Sequence, residues 1–439
     1  MADIAATTDA ATPDGPTAEV PVILPRAQRL QVLAYCGALL LLFNLAAPYQ
    51  GLIGIPISFM LKNKLHLGAN QLAQFNLWIG IPLYLSFIFG FVRDRWSPAG
   101  AGDRGHLILF GLTTAAIYVA CAFVSPTYVM LLAGLLIVTV SVQFVASAAN
   151  ALISEVGQSH LMTGQASSIF NISASLPAIA AFFGGMLSDR LEGEAVATAG
   201  RVLFLVAAAL MGAVALLGAA GPKWLFAEAR PKPAARTSPL ADIGRLLRTW
   251  AIYPPLIMLL LWDFGPAIGT ALQYHLANEL HASDAQVGAF YALFFAASVP
   301  TLILYGYLSQ HLALGRLLLI GTVFAIFQMI PLLFVHTVDG ALIAAVVMGL
   351  LGGLASGAYV DLAIRSCPPG LQGTMMMLVV TVYWVAVRFG DLWGTDIYEH
   401  GGGFLMAIIA TTGVYVLILP VLPFAPKRLV SSSDGEAAT

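Results

Sequence analysis

The sequence predicts an all-α polytopic membrane protein with twelve transmembrane helices in two six-helix pseudo-symmetric halves. Of its 439 residues, 59% are hydrophobic and 10% are charged, and the mean hydropathy is +0.86. Soluble domains carry roughly 25% charged residues, so the composition excludes that class. Apolar runs of about 20 residues, enough to cross a bilayer, alternate with short polar segments. A sequence repeat at a fixed offset indicates that the two halves are related.

The apolar runs give the order of the helices. No alternating ten-residue pattern typical of a membrane barrel is present, so each run is assigned to a helix. The first run is interrupted by Pro48, Gly51 and Pro56, and Ser125-Pro126 marks the turn after the third. Predicted helices 1 to 6 cover residues 30–61, 71–92, 106–124, 128–155, 165–187 and 201–219. Predicted helices 7 to 12 cover residues 254–280, 285–308, 316–335, 340–364, 372–396 and 403–424.

A basic segment separates the two sets of six helices. Six Lys and Arg residues lie between Gly221 and Trp250, and the apolar residues of 238–250 have helical spacing. This pattern is typical of an amphipathic helix at a membrane surface. The chain is therefore divided into a disordered cytoplasmic tail, an N-terminal bundle, a cytoplasmic linker with an amphipathic helix, a C-terminal bundle and a cytoplasmic tail. These divisions cover residues 1–27, 28–220, 221–251, 252–425 and 426–439.

The distribution of basic residues predicts the orientation in the membrane. With both termini on the inner side, fifteen of the 20 Lys and Arg residues lie on that side, four lie outside and Arg388 lies within the membrane. Cytoplasmic loops carry this excess of positive charge, so we expect a cell (inner) membrane protein with both termini in the cytoplasm. The first 25 residues have no basic region followed by an apolar core, so they predict a tail and not a signal peptide.

An internal repeat joins the first and second helices of each half. The segment from Leu65 to Phe75 and the segment from Leu280 to Phe290 share Leu, His, Gln and Phe at an offset of 215 residues. Helix 2 ends with Gly90 and Asp94, and helix 8 ends with Gly306 and Gln310, an offset of 216. Parallel repeats of six helices resemble the plan of the major facilitator superfamily.

Asp263 is the first candidate for a substrate site. It lies about eight residues past Pro254-Pro255, on the order of 12 Å into the bilayer. A carboxylate at that depth costs roughly 2.5–3.5 kcal/mol, so we expect it to face water, a charge or a substrate. Pro266 disturbs the helix beside it, and a polar group next to a weakened helix is typical of transporter sites. The alternative is a buried acid that bonds a neighbouring helix.

Predicted helix 11 carries a second pair of deep charges. Arg388 and Asp391 are three residues apart and so share a face of the helix. Arg388 has three candidate partners, which are Asp391, Asp263 and an anionic substrate, and a structural ion pair is the alternative. Nearby aromatic residues are either packing residues or flat surfaces for a planar, anionic heteroaromatic ligand. They include Trp262, Tyr383 and Trp384.

Polar residues of the other helices complete the candidates. Asn44, Gln50 and Gln143 are assigned to the substrate site, although such amides also bridge helices. Glu155 and Asp361 lie near the cytoplasmic ends of helices 4 and 10, where gating or simple solvation is expected.

The loop after helix 2 resembles the signature loop of the superfamily. It reads Gly90-x-x-x-Asp94-Arg95. Gly90 permits close helix packing, and Asp94 suits the positive N-terminus of another helix. The resemblance implies that this partner is helix 11 and that the contact latches the inner gate in one conformation. The alternative is a solvated charge cluster that sets the topology.

Several function classes lack local support. The three cysteines have no ligand-like spacing, so neither a metal site nor a disulfide framework is expected. No phosphate loop, zinc motif or nucleophile elbow is present, so we predict no enzyme and no cofactor. The net charge of −2 does not suggest a nucleic-acid partner.

The core of the chain resembles the folate-biopterin transporter family of the major facilitator superfamily, to which muropeptide permeases are related. The resemblance rests on PYQGLIGIPISFMLKNKLHL from Pro48, PLYLSFIFGFVRDR from Pro82, Trp262-Asp263, the stretch from Tyr274 to Leu280, and SCPPGLQGT from Ser366. Helix 2 departs from the family, which usually has a Trp and a Lys-Pro pair where this chain has Leu83, Ser86 and Phe87. The missing lysine removes a cation that could serve folate or coupling.

These observations favour a secondary active transporter that moves a pterin, folate or similar organic anion by alternating access, with protons as the candidate coupling ion. Asp263 or Asp391 would accept the paired N–H donors of a 2-amino-4-oxo ring, and Arg388 would hold a carboxylate. The alternatives are a non-transporting receptor or assembly factor on a transporter scaffold, and a muropeptide-type permease. We expect a monomer in the lipid bilayer.

Overall fold

The structure of the chain is a computed structural model. It describes residues 23–49, 53–54, 57, 61, 65, 69–124, 127–189, 194–228 and 238–436. The regular elements of this part are all helical. The predicted N-terminal tail lies outside the described residues up to residue 22, and the first helix begins at Arg26.

The N-terminal half contains helices α1 to α6. The second is divided at Leu85 into two segments. The helices are α1 Arg26–Ala46, α2 Ala69–Tyr84 with Ser86–Arg95, α3 Asp103–Phe123, α4 Tyr128–Ser159, α5 Thr163–Asp189 and α6 Glu194–Ala220.

The C-terminal half contains α7 to α12. Short 3-10 turns, Ile330–Phe334 and Leu419–Phe424, extend α9 and α12. Ten of the described helices are long and apolar enough to cross a membrane, and α5 and the divided α7 complete the twelve. The helices are α7 Tyr253–Asp263 with Thr270–Tyr274, α8 Asp284–Leu308, α9 Leu314–Phe327, α10 Val338–Arg365, α11 Gln372–His400 and α12 Gly403–Val416.

The first and seventh helices differ most from the predicted spans. Helix 1 was expected over 30–61, but α1 ends at Ala46 because Ala47 precedes Pro48 and adopts an extended conformation. Most of the remaining predicted span lies outside the described residues. Helix 7 was expected as one weakened helix over 254–280, whereas α7 is divided after Asp263 and ends in a π-helical turn, His275–Glu279.

The sequence repeat corresponds to equivalent helix starts. Helix α2 begins at Ala69 and α8 begins at Asp284, a difference of 215 residues. Phe75 and Phe290, the last residues of the two copies, are both buried in the core. The fold therefore places the two copies at the same joint of each half.

One end of the bundle, called here the linker face, carries the linker helix Pro239–Arg248 and the connections 96–102, 160–162, 309–313 and 366–371. The linker helix buries Asp242 and Leu246 and exposes Leu240 and Leu247. Asp242 forms an ion pair with Arg95. Arg245 donates a 3.3 Å hydrogen bond to the Pro369 carbonyl, so this helix contacts both halves.

Candidate functional site

The candidate substrate site is built around the break in α7. The first segment ends at Asp263, and the helix resumes at Thr270. Pro266 lacks a backbone N–H and cannot continue a helical ladder. Gly269 has φ of +91°, a left-handed conformation that favours glycine, and a Cβ there would lie 2.7 Å from Asp391 Oδ1. The local sequence Gly-Pro-x-x-Gly thus interrupts the helix beside an acid.

Helices α11 and α12 hold the non-helical segment in place. Asp391 Oδ1 accepts a 2.7 Å hydrogen bond from the Thr270 backbone N–H, and Oδ2 accepts a 3.1 Å bond from its hydroxyl. The Ala267 N–H donates to Thr411 Oγ1 at 2.8 Å. A Cβ on Gly394 would overlap the Pro266 carbonyl oxygen, so α11 touches the segment with its backbone. Asp391 therefore caps the second segment of α7 as well as facing Arg388.

The surroundings of the Asp263 carboxylate differ from those of Asp391. In the described part of the chain it has no hydrogen-bond or ion-pair partner. It is close enough to Tyr383 and Tyr415 to interact electrostatically with their phenol groups. Asp263 is half-buried and Tyr383 is 40% exposed, so both side chains keep accessible surface. The carboxylate is thus available to a solute, to water or to a proton.

Arg388 lies nearer Asp391 than Asp263. Its Nη1 is 3.8 Å from Asp391 Oδ2, and no ion pair joins it to Asp263 within the described residues. The Arg388 side chain is 55% exposed. The 3.8 Å contact is longer than a hydrogen bond, and the guanidinium has no hydrogen-bond partner among the described residues, so its donors are available to another anion.

An aromatic and amide network connects the two halves beside this site. The Trp384 ring meets the Tyr49 ring edge-on with centroids 5.6 Å apart, and Tyr383 meets Trp384 at 5.2 Å. Gln143 Nε2 donates to the Tyr49 hydroxyl at 3.4 Å, and its Oε1 lies 2.9 Å from Ser86 Oγ. Ser86, at one of the positions that depart from the family pattern, thus belongs to the same network as Gln143.

The remaining predicted substrate residues have other surroundings. Trp262 stacks on Tyr415 with centroids 5.1 Å apart and meets Tyr359 edge-on, so it packs inside the C-terminal half. Asn44 is half-buried, and its side chain has no hydrogen-bond partner among the residues described. Gln50 lies outside the described residues.

At the linker face, α2 packs against the N-terminus of α11. A Cβ on Gly90 would overlap the Gly373 carbonyl oxygen. The Asp94 carboxylate accepts hydrogen bonds from the Gly373 N–H at 3.1 Å, the Thr374 N–H at 2.7 Å and the Thr374 hydroxyl at 2.6 Å. The contact between Asp94 and helix 11 that the resemblance implies is therefore present, and its role in gating stays a proposal. This contact is called the first latch.

Arg93 stabilises the first latch, although sequence reasoning used this residue only to predict topology. Its guanidinium bonds Asp94 at 2.9 Å and Glu155 at 3.0 Å, and it forms a bidentate pair with Asp103. Arg93 is buried, so these carboxylates replace its hydration. Glu155 is thereby part of an ion-pair network and is not simply solvated. Arg95, the other cation of the motif, points to the linker helix.

Asp361 belongs to a separate buried network that extends from α10 to Thr163 of α5 through Arg365. Its Oδ1 accepts from Arg365 Nε at 2.9 Å, and its Oδ2 accepts from the Tyr305 hydroxyl at 2.7 Å. Arg365, which sequence reasoning also used only for topology, is one helical turn from Asp361 on the same face, and that spacing was the available signal. No cluster of His, Cys, Asp or Glu that could hold a metal ion occurs among the residues the structure describes.

Comparisons with known proteins agree with this architecture. Residues 39–390 match the family model of the Major Facilitator Superfamily. Folate transporter 2 of Plasmodium falciparum is 20% identical over 346 residues, which cover 75% of this chain and 73% of that protein.

Solved structures also share the fold. FucP, a transporter captured in the outward conformation, aligns with a TM-score of 0.63 at 15% identity over 90% of this chain and 98% of its own. Another FucP structure, described as the E. coli fucose:proton symporter, aligns with a TM-score of 0.61 at 16% identity and the same coverage. The human organic anion transporter MFSD10 aligns with a TM-score of 0.58 at 17% identity over 91% of this chain and 100% of its own. At these identities the likeness concerns the fold alone.

Proposed function

The chain belongs to the Major Facilitator Superfamily, and on that premise we propose that it is a secondary transporter for a small organic anion of the pterin or folate class, working by alternating access with protons as the coupling ion. The observation that carries this proposal is the Asp263 carboxylate at the break of α7, which has no hydrogen-bond or ion-pair partner among the described residues. A membrane-spanning helix that exposes an unpaired acid at a break is typical of the central site of a secondary transporter. The resemblance to the folate-biopterin family and the similarity to Folate transporter 2 support this substrate class.

The side chains near the break suit the proposed ligand. A 2-amino-4-oxo ring presents two N–H donors on one edge, and a carboxylate such as Asp263 can accept both. Tyr383 and Trp384 offer flat surfaces beside Asp263 and contact Tyr49 of the opposite half through Trp384. Arg388 is the exposed cation of α11, and its planar guanidinium pairs well with a ligand carboxylate. Asp391 is a weaker candidate because Thr270 occupies its oxygens.

Proton coupling is assigned to Asp263. A carboxylate with no partner in the described part of the chain can be protonated in one conformation and ionised in the other, which would link solute movement to a proton gradient. Uptake by the wild-type protein is then expected to depend on pH, and Asp263→Asn is expected to lose that dependence. The measurement is initial uptake over a pH series in proteoliposomes, with Asp396→Asn as the control because Asp396 is exposed on α11. Full retention of the pH dependence by Asp263→Asn contradicts the assignment.

The ligand class is tested by thermal-shift measurements on the purified protein. A ligand that binds only the folded state raises its stability by about 2.7 kcal/mol at a hundred times the dissociation constant. Pterins and folates are expected to raise the melting temperature, whereas peptides, sugars and nucleosides are not. Muropeptides distinguish the permease alternative. An effect confined to muropeptides or sugars contradicts the proposed substrate class.

The orientation of the protein is part of the proposal. We place the linker face in the cytoplasm, which is supported by the predominance of basic residues on that side. The described hydrogen bonds between the halves include several near the linker face, such as those from Gln158 of α4 to the carbonyls of Ile364 and Cys367. The molecule would then be closed toward the cytoplasm. A reporter fused in the linker that is exported contradicts this orientation.

A further inference from the structure

We propose that the C-terminal segment 431–436 is a working part of the inner gate. Its Asp434 provides the carboxylate of a second latch, in place of the acid that the second half of the chain lacks at the position of Asp94. This inference rests on the proposed function, because a latch has a role only in a protein whose halves open and close. It adds a gate residue from a segment that the sequence marks as a tail.

The internal repeat shows where a second latch belongs. In the first latch, Gly90 packs against the N-terminus of α11 and Asp94 accepts its backbone N–H groups. At the offset of 216 residues, Gly90 corresponds to Gly306 of α8 and Asp94 to Gln310. Gly306 packs closely against α5, since a Cβ there would lie 2.7 Å from Ser168 Oγ. The helix packing is therefore repeated.

The carboxylate is not repeated at this position. Gln310 is exposed, and its amide donates to the Gly306 carbonyl at 3.0 Å. A glutamine also cannot supply the negative charge that a helix N-terminus favours. The first N–H groups of α5 therefore need an acceptor from elsewhere.

Asp434 provides that acceptor with the geometry of the first latch. Its Oδ1 accepts from the Gly164 N–H at 3.1 Å and lies 3.4 Å from the Thr163 hydroxyl, and its Oδ2 accepts from the Gln165 N–H at 3.2 Å. Two consecutive backbone N–H groups and one threonine hydroxyl thus face one carboxylate at each latch. The chain segments that supply the two acids are unrelated.

The C-terminal segment is bonded to both halves of the molecule. On the N-terminal side, the Gly435 N–H donates to the Leu161 carbonyl at 2.7 Å. On the C-terminal side, the Asp434 N–H donates to the Ser309 carbonyl at 2.8 Å, and Arg365 donates to the Ser432 carbonyl at 2.8 Å. Separation of the halves at the linker face must break one of these sets of bonds.

Charge strengthens this contact. Arg365 Nη2 lies 3.3 Å from Asp434 Oδ1, and the Asp434 side chain is only 1% exposed. Burial raises the pKa of the Asp434 carboxyl to about 6 and nearby Asp361 adds to the rise, whereas Arg365 and the amides of Gly164 and Gln165 oppose it. The group is therefore mostly ionised at neutral pH, and its hydrogen bonds are charge-assisted.

The test measures the separation of the two halves with spin labels. Cysteines are introduced at Ala220 in the N-terminal half and at His311 in the C-terminal half, both exposed and outside the two latches. The native Cys36, Cys121 and Cys367 are buried. The label–label distance is compared in the wild type, Asp434→Ala, the isosteric Asp434→Asn and, as a matched control, Glu436→Gln. Asp434→Asn keeps the side-chain shape, so the comparison holds even where Asp434→Ala folds poorly.

The expected result is a longer distance for Asp434→Ala, with the open-to-closed ratio raised on the order of tenfold, the scale of one lost charge-assisted hydrogen bond. Asp434→Asn is expected to shift in the same direction and Glu436→Gln to match the wild type, since the bonds of Glu436 to described residues are all with Ser433 of its own segment. Truncation after Ser431 should reproduce the opening, and truncation after Glu436 should not.

A wild-type distance distribution in both Asp434 variants overturns the proposal. The proposal is also overturned if the truncations after Ser431 and after Glu436 open the protein equally, because both remove residues 437–439 and the effect would then belong to those residues. The distances are measured without any solute, so a failed latch leaves the transport proposal standing. A protein that opens as expected but moves no solute contradicts the proposed function alone.

Discussion

Asp263 of α7 and the Arg388–Asp391 pair of α11 belong to one candidate site, but their surroundings give them different roles. Asp391 accepts two hydrogen bonds from Thr270 and so acts first on the fold of α7. Asp263 has no such partner in the described structure, and Arg388 is half exposed with a single long contact to Asp391. The groups that contribute least to stability are therefore the ones available to a solute.

This difference predicts opposite effects of two substitutions on stability. Asp391→Ala removes a cap from the second segment of α7 and is expected to lower the free energy of unfolding by about 1–2 kcal/mol. Asp263→Asn removes a charge that has no partner within the ranges the structure describes, and it is expected to leave stability unchanged or to raise it. Thermal unfolding in detergent measures both. The control is Asp396→Ala, because the exposed pair of Asp396 and His400 contributes little. A loss of stability in Asp263→Asn larger than in Asp391→Ala contradicts these roles.

At the residue scale, the sequence predicts a deep acid better than it predicts that acid's partners. Asp263 stands out because a carboxylate in an apolar run is rare and costly. The sequence left three partners open for Arg388, and the folded structure places it 3.8 Å from Asp391. Arg93 and Arg365 were not singled out because a basic residue at the end of a span usually serves topology. Their buried networks depend on contacts between distant helices.

At the scale of elements, glycine and proline determine how α7 is divided. Gly269 has a φ of +91°, and the Asp391 carboxylate occupies the space that a Cβ at this position would need. Gly269→Ala is expected to lower the free energy of unfolding by about 1–3 kcal/mol and to weaken solute binding, because the segment must shift away from α11. Gly413→Ala on α12 is the control, since nothing lies within 4 Å of its added Cβ. Thermal unfolding and ligand-induced shifts measure the two effects. Equal behaviour of the two alanine variants contradicts this account of the break.

Local signals in the sequence predict most element boundaries but not the docking of the C-terminal segment. Pro48 and the Gly265-Pro266 pair act on their own stretch of backbone, so an interruption at Pro48 and the weakness of helix 7 follow from the sequence, although helix 1 was expected to continue to residue 61. The sequence predicted a weakened helix 7 and not a divided one. The division depends on hydrogen bonds to Asp391 of α11 and Thr411 of α12, which lie far away in sequence. Residues 426–439 were assigned to a cytoplasmic tail, whereas Asp434 accepts a hydrogen bond from Gly164, 270 residues away in sequence.

At the scale of the whole molecule, close backbone contact keeps the halves together at the linker face. A side chain at Gly90 would overlap the Gly373 carbonyl oxygen across the interface. Gly90→Val is therefore expected to favour the state that is open at the linker face, read as a longer distance between spin labels at positions 220 and 311. Gly212→Val is the control, because open space surrounds an added Cβ at Gly212. A closed distribution in Gly90→Val contradicts the role of this contact.

The pseudo-symmetry of the molecule is visible in the sequence because equivalent joints keep equivalent residues. The repeats around Phe75 and Phe290 mark the starts of α2 and α8. The closed state at the linker face was not predictable, since both conformations of such a protein share one sequence. Gln310 in place of an acid shows that the two equivalent joints differ at the position of Asp94.

The central claim is that the protein moves an organic anion through a site that contains Asp263. Counterflow in proteoliposomes tests it most directly, with vesicles preloaded with the pterin or folate that gives the largest thermal shift. The account predicts saturable accumulation of labelled solute in the wild type and its loss in Asp263→Ala, with Asp396→Ala as active as the wild type. Solute that binds the purified protein but shows no counterflow would instead indicate a receptor on a transporter scaffold, and full counterflow in Asp263→Ala would place the site elsewhere.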